Sequence, residues 1–508
     1  MATEKVYLVM DEQEEKHDQP WPSYHIETPK RLDVIKQRLE SSGLLSDPRI
    51  EKIPRREATE EEILLVHTKR YVDDVKATET MTVEDQEQFC TKYEDIYVNS
   101  ATWRRAKLAA ASSIDLVSRV VTSRSPGIAF IRPPGHHAMP DEGCGFCIFN
   151  NVAIAAKHAI QSGLAKRVMI VDYDVHAGNG TQECVETKRD DIRLISIHRY
   201  ENGTFWPNMP QTGIYHNYHN TLNIPLNTVS LSDSDYLALF THIVLPSIHT
   251  FQPDLIIVSS GFDAALGDPE GYMNVTPAGF ATMIRMLMDT GVPVAAILEG
   301  GYFLEALAAD SEWVVRAMLG ERVPRIPTEK IHPMIAETIV RIQKRYQKTS
   351  AFFVKALELR DLIHGPSEVE EPSESVQTDY KGERLVQPPY DTRGIYTPFT
   401  EEKVDGFRRE LDRILESYKT NEENGHVAIM DYVETHEEEN SIGVKNGTLQ
   451  IGKNARVFAE LLFLAPTDTA FVARPIVEKE DFGKIRLDDS LREIQNIQIF
   501  KNLPIFQL

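Results

Sequence analysis

Short apolar runs recur along the first two-thirds of the chain, and each gives way to a glycine, an aspartate or a histidine. "KVYLVM" at Lys5, "GIAFIRPPG" at Gly127 and "RVMIVDYDVHAGNG" at Arg167 are three of them. "IRLISIHRY" at Ile192, "DLIIVSSGFDAA" at Asp254 and "VPVAAILEGGY" at Val292 follow the same plan. Continuous β-branched runs of this kind predict strands buried on both faces. Between them the apolar spacing becomes helical, as in "RLDVIKQRLESSGLL", ended by Gly43, and "NVAIAAKHAIQSG". "DYLALFTHIVLPSIHTF" and "PAGFATMIRMLMDTG" read as helices too. Strands alternating with helices predict an α/β fold with a parallel sheet covered on both sides.

The pattern changes near Leu362, so residues 1–362 form one expected unit. "HGPSEVEEPSESVQTDYKGERLVQPPYDTRG" is acidic and rich in proline and serine, which predicts a linker over 363–395. A small α+β domain of unreadable role is expected over 396–508. There "EEKVDGFRRELDRILESYKT" reads as an amphipathic helix and Asn446-Gly447 as a hairpin turn. "ARVFAELLFLA" and "TAFVARPIVE" suit either strands or buried helix.

Composition narrows the class. Hydrophobic residues make up 42% and charged residues 26%, an ordinary globular mix. No apolar run approaches the roughly 18 residues of a membrane span. The N-terminus is charged almost at once and lacks a signal-peptide core. Four cysteines, Cys90, Cys144, Cys147 and Cys184, make no disulfide framework in 508 residues, so a reducing compartment is expected. The net charge of -22 argues against direct nucleic-acid binding and favours cationic partners. From Gly365 onward there are 28 acidic and 17 basic residues, half of that net charge in under a third of the length. That acidic tail is the expected region for protein partners. Without a strong basic cluster, the chain is expected in the cytoplasm with access to the nucleus.

The reactive residue types cluster just after the predicted strands, where open α/β sheets bind ligands. In "VDYDVHAGNG", Asp174 and His176 are two apart and share a side if the strand persists. "SSGFDAA" brings Asp263 to the end of another strand. Two oxygens and one nitrogen with open positions left make a catalytic rather than a structural zinc pattern. Cys144 and Cys147 stand without a second pair and read as packing. A second metal would want acids two residues beyond His176 and Asp263, where Gly178 and Ala265 stand. One zinc per chain is expected.

Residues Lys5 to about Tyr346 resemble the zinc-dependent histone deacetylases, nearest the class IIb branch. "RPPGHHA", "CGFCIFNN", "VDYDVHAGNGTQ", "SIHRYENGTFWP", "SSGFDAALGDPEG" and "LEGGY" carry the resemblance, in the family's order. It implies an arginase-deacetylase fold, three α/β/α layers around a mostly parallel sheet of about eight strands. It implies zinc on Asp174, His176 and Asp263, and potassium beside it at Asp172, Asp174, His176 and Ser196. It makes His137 the general base, His136 its electrostatic partner and Tyr302 the donor to the oxyanion. Asp172 would then stand against His136, and Asn179 against His137. Asn179 carries no charge, so His137 is expected to be less basic than His136.

The resemblance also places Gly145, Phe146 and Trp206 along a tunnel for an alkyl amine stem. His25 and Asp95 would stand at its rim, Asp95 accepting from a substrate backbone. Glu270 matches the gatekeeper glutamate of the polyamine deacetylase, which attracts a distal substrate cation. Yet "WPSYHIETPKRL" lacks two residues of that enzyme's constriction, and His25 fits the shorter loop of protein deacetylases. "IYHNYHNTLNIPLN" also replaces the family's usual glycine-rich stretch. The leading expectation is hydrolysis of N6-acetyl-lysine in histones or in cytosolic, tubulin-like proteins. Acetylpolyamine deacetylation is the alternative, and an acetyl-lysine-binding scaffold with little turnover a third.

Overall fold

The structure is a computed structural model that describes residues 5–12, 14–187, 189–326, 331–346 and 387–420, with short strand segments between 428 and 473. Eight strands form one sheet: β1 (Val6–Met10), β2 (Ile50–Lys52), β3 (Gly127–Phe130) and β4 (Val168–Asp172), then β5 (Ile192–Arg199), β6 (Thr221–Leu226), β7 (Leu255–Ser260) and β8 (Val294–Leu298). Their order across the sheet is β2-β1-β3-β8-β7-β4-β5-β6, and every neighbouring pair is parallel. The six strands expected from the apolar runs are all present. The two that no run announced are the edges. β2 has three residues, and β6 carries Pro225, which an edge strand tolerates because one side of it needs no donor.

Alternation along each strand feeds two cores. Val6 and Leu8 pack on one face with Met169, Val171, Ile256 and Val258. Tyr7 and Val9 pack on the other with Val168, Ile170, Leu255 and Ile257. Helices Thr102–Ser123 and Asn151–Gln161 cover the second face. Helices Lys30–Ser41, Pro277–Asp289 and Leu304–Met318 cover the first. The result is the expected three-layer α/β/α sandwich. Gly43, at φ 77°, follows the first helix in the left-handed region that its sequence signal predicts.

The stretch expected as one helix from Asp235 is interrupted. Two α-helical pieces, Asp233–Leu239 and Leu245–Phe251, flank a π-helical turn at Phe240–Val244. Pro246 explains this: it has no N–H to give to the preceding turn. Among the described residues, no helix is long and apolar enough to cross a membrane.

Helix Glu401–Thr420 forms over the expected stretch, and strands Ile442–Lys445 and Thr448–Ile451 pair antiparallel, while the expected turn at Asn446-Gly447 lies outside the described residues. Strands Leu461–Leu464 and Ala470–Ala473 pair antiparallel, which settles one open choice in the tail. Most of the expected linker, 363–386, and much of the expected tail domain lie outside the described residues. Residues 387–420 run against the sheet-bearing body: Trp21 Nε1 donates to Thr392 O at 2.8 Å, and Tyr418 Oη accepts from Ala278 N at 3.2 Å.

Candidate active site

The strands deliver their chemistry at their carboxyl ends. His136 and His137 follow β3, Asp174 and His176 follow β4, Asp263 follows β7, and Glu299 and Tyr302 follow β8. These four strands are contiguous in the sheet as β3-β8-β7-β4, so segments far apart in sequence converge.

Asp174, His176 and Asp263 are buried, and one ligand atom from each lies within 4.8 Å of the others. His176 Nδ1 stands 3.2 Å from Asp174 Oδ1 and 3.1 Å from Asp263 Oδ2. Burial pushes Asp263 up to about 7, with Asp174 adding to it. Burial also works against a charged His176, but hydrogen bonds and charge from both aspartates outweigh it and hold the imidazole well above its usual value. Two buried carboxylates and an imidazole nitrogen converging on one point form a donor set suited to a divalent cation. Gly300 makes the approach possible. Its N–H donates to Asp174 Oδ2 at 2.8 Å, and a Cβ there would lie 2.2 Å from Asp263 Oδ2.

The two histidines differ by their partners. His136 Nδ1 donates to Asp172 Oδ2 at 3.0 Å, and His137 Nδ1 donates to Asn179 Oδ1 at 2.7 Å. Burial opposes charge on His136, yet Asp174 and Asp172 raise it to about 10. His137 is held well below its usual value by burial, then by the neighbouring His136 and His176. The expected order of basicity is the one the structure shows. The Asn179 contact also fixes the tautomer, keeping the proton on Nδ1 and leaving Nε2 of His137 to accept one.

Ser196 faces Asp172 across the β4–β5 register. Its hydroxyl accepts from Gly178 N at 3.3 Å and pairs with His198 Nδ1 at 2.9 Å. The residues expected to line the substrate's path lie near the Asp174-His176-Asp263 cluster, with the Trp206 and His176 rings 5.7 Å apart. Trp206 stands edge-on to His137 with centroids 4.6 Å apart, and its Nε1 donates to Glu94 Oε1 at 3.1 Å. Phe146 stands 5.6 Å from the Tyr302 ring and 4.9 Å from His25. Gly145, at φ 50°, could not be another residue: a Cβ would lie 2.4 Å from Trp206. His25 is buried, which lowers it to about 4, and its Nε2 is 4.0 Å from Asp95. Burial pushes Asp95 up to about 7, with the Tyr396 hydroxyl pulling it back. Glu270 is partly exposed, with its carboxylate 3.9 Å from His176 Nε2.

The histone deacetylase domain model matches residues 25–318. The chain belongs to the histone deacetylase family. It is similar to the polyamine deacetylase HDAC10 of Danio rerio, 41% identical over 328 residues, covering 63% of this chain and 48% of that one. It is similar to the histone deacetylase HDA1 of Candida albicans, 36% identical over 375 residues, covering 68% and 45%. The crystal structure of the HDA15 HD domain superposes with a TM-score of 0.61 at 35% identity, covering 68% of this chain and 96% of that one. The chain spans about half the length of the curated relatives it matches.

In this histone deacetylase family member, several neighbours of the site went unassigned at the level of sequence. Phe205 stacks on His176 with centroids 5.3 Å apart, although it lies inside "TFWP". Asp268 accepts from Tyr302 N at 2.7 Å, which orients the loop that carries the tyrosine. Glu299 accepts from Gly135 N at 2.7 Å and His136 N at 3.1 Å, tying β8 to the histidine loop. A glutamate just before a glycine pair was the available signal. Tyr396 gave none: its hydroxyl donates to Asp95 across 301 residues of chain.

Proposed function

We propose that this chain hydrolyses the acetyl amide of N6-acetyl-lysine in proteins, histones or tubulin-like cytosolic substrates among them. One zinc ion would be held by Asp174, His176 and Asp263. The observation that carries the reading is the buried cluster of these three ligands beside two histidines of opposite basicity. The donor set fits zinc, with one nitrogen, two carboxylate oxygens and open positions toward the tunnel. Zinc bound there supplies Lewis acidity to the amide carbonyl and to water.

The chain's own residues do the rest. His137 Nε2, free to accept, takes a proton from the attacking water and returns it to the departing amine. His136, held cationic against Asp172, adds positive charge near the developing oxyanion. Burial keeps the Tyr302 hydroxyl protonated, so it can donate to that oxygen. Phe146 and Trp206 wall the alkyl stem and exclude water. A potassium ion at Asp172, Asp174, His176 and Ser196 belongs to the same reading, supported by the register that sets Asp172 opposite Ser196. A cytoplasmic place with nuclear access goes with it.

Acetylpolyamine hydrolysis is the second reading. Glu270 favours it, as a carboxylate 3.9 Å from His176 that can meet a second amine, and so does the similarity to HDAC10. The test compares kcat/KM of zinc-loaded protein for an acetyl-lysine peptide and for N8-acetylspermidine, with His137→Ala as the blank. A peptide preference of about tenfold, roughly 1.4 kcal/mol, is expected. The reverse preference would replace the first reading with the second. No turnover above the blank would move a binding scaffold to the front.

A further inference from the structure

Residues 387–399 run beside His25 and Asp95, the two expected rim residues, and are held there by hydrogen bonds. Tyr390 N donates to Thr91 O at 2.8 Å, and Gly394 N donates to Ser23 Oγ at 3.0 Å. Arg393 makes two hydrogen bonds to the Glu87 carboxylate, at 2.6 and 2.7 Å. These anchors lie on the two stretches that carry His25 and Asp95. The chain then continues into helix Glu401–Thr420, which is fixed against the residues that follow Tyr302. Arg408 donates to Glu305 at 2.6 Å, and Phe407 packs against Phe303. Between the two sets of anchors, Tyr396 packs among the expected rim residues. Its ring meets His25 at 5.2 Å and Phe146 at 5.8 Å between centroids, and its hydroxyl donates to Asp95.

We propose that Tyr396 is a specificity-determining residue: it occupies the rim beside Phe146 and Asp95, so a slim alkyl amine enters past it while a peptide must displace it. The argument is one of width and hydrogen bonding. Acetyl-lysine in a protein brings a backbone on both sides of its stem, and that backbone needs open rim on both sides. Here one side holds an aromatic ring, and the rim's carboxylate already has a donor. An acetylated polyamine brings only a chain of methylenes and amines. The segment therefore sets how readily protein substrates are used. The inference rests on the deacetylase reading but not on which of its two substrates dominates.

The experiment uses the full chain, zinc-loaded, as wild type, Tyr396→Ala and Arg393→Ala. Two quantities are read: the ratio of kcat/KM for an acetyl-lysine peptide to that for N8-acetylspermidine, and the affinity of a fluorescent acetyl-lysine peptide. Tyr396→Ala should raise the ratio about fivefold to tenfold, the scale of one charge-assisted hydrogen bond and one ring contact no longer displaced. Arg393→Ala, which loosens only an exposed anchor, should raise it about twofold and leave acetylspermidine turnover unchanged. A ratio and a peptide affinity both unmoved in Tyr396→Ala would overturn the proposal. Peptide affinity that rises in Tyr396→Ala while no variant turns over either substrate would sink the deacetylase reading and leave the gate standing.

Discussion

The uncharged partner of His137 is the feature of this site most open to a quantitative test. Asn179→Asp replaces an amide oxygen, 2.7 Å from His137 Nδ1, with a carboxylate of nearly the same shape. The structure contains its own control. His136 has a carboxylate in the equivalent place, at 3.0 Å, and is raised to about 10 by Asp174 and Asp172 together, while His137 is held well below its usual value by burial and by His136 and His176. A carboxylate and an imidazolium about 4 Å apart attract by about 4 kcal/mol at an effective dielectric of about 20. Asn179 is 2% exposed, so burying a new charge takes back part of that gain. About one to two pKa units remain, near 1.4 kcal/mol each. The sign is fixed by the role: the charged form is stabilised, the pKa rises, and the neutral base becomes scarcer at a given pH. The acid limb of kcat/KM against pH should therefore move to higher pH by the same one to two units, with up to about tenfold lost per unit below it. The assay is the pH profile of both zinc-loaded proteins on one acetylated substrate. An acid limb unmoved within about 0.3 unit, in a variant that still turns over, would refute His137 as the base whose ionisation limits the rate.

Tyr302→Phe should cost about a hundredfold to a thousandfold in kcat while the zinc content measured by elemental analysis stays whole; a rate within twofold of wild type would remove the oxyanion role. Asp263→Ala should abolish stoichiometric zinc binding, because it deletes one of three ligand groups; a full zinc complement after dialysis would contradict the assignment. Glu270→Leu should lower kcat/KM for N8-acetylspermidine about tenfold more than for an acetyl-lysine peptide, as expected for one lost charge pairing near a buried site; equal losses on both substrates would end its role as a selector.

How much of this was legible beforehand depended on distance along the chain. Six strands announced themselves because each carries an apolar, mostly β-branched run that ends in a glycine, aspartate or histidine. The three-residue β2 and the proline-bearing β6 lacked that signature because edge strands need neither length nor continuous apolarity. Asp174, His176 and Asp263 were legible since each follows such a strand, and the strand order brings them together. The inversion of basicity between His136 and His137 was legible from the chemistry of their partners. Phe205, Asp268 and Glu299 lay inside recognisable motifs but act through ring stacking and backbone N–H groups, which side-chain type alone does not reveal. Tyr396 was out of reach because it stood at the boundary between the expected linker and the expected tail domain, and only the folded body makes a partner of Asp95.

The loop that holds Tyr302 shows why the first helix matters to chemistry at the far end of the domain. Arg31 lies in that helix and is fully buried. Its Nε donates to Gly301 O at 2.7 Å and its Nη2 to Glu299 O at 2.6 Å, on either side of Gly300, which contacts Asp174 and Asp263. Its guanidinium also sits 5.0 Å from the Tyr302 ring centre. A buried cation of this kind is costly unless paired, and Glu27 pairs it at 3.1 Å while also holding Arg132. Arg132 in turn begins the stretch that ends in His136 and His137. One glutamate thus fixes, through two arginines, the segment carrying the proposed base and the segment carrying the proposed oxyanion donor. The same Glu27 gives its backbone N–H to His25 Nδ1 at 3.1 Å, so the mouth is set from the same point. Removing either arginine would leave a buried carboxylate under-paired, at about 3–5 kcal/mol by the usual cost of a broken buried pair. That cost would fall on the relative placement of His137, Tyr302 and His25 rather than on the proposed metal ligands, which follow β4 and β7 and contact Gly300.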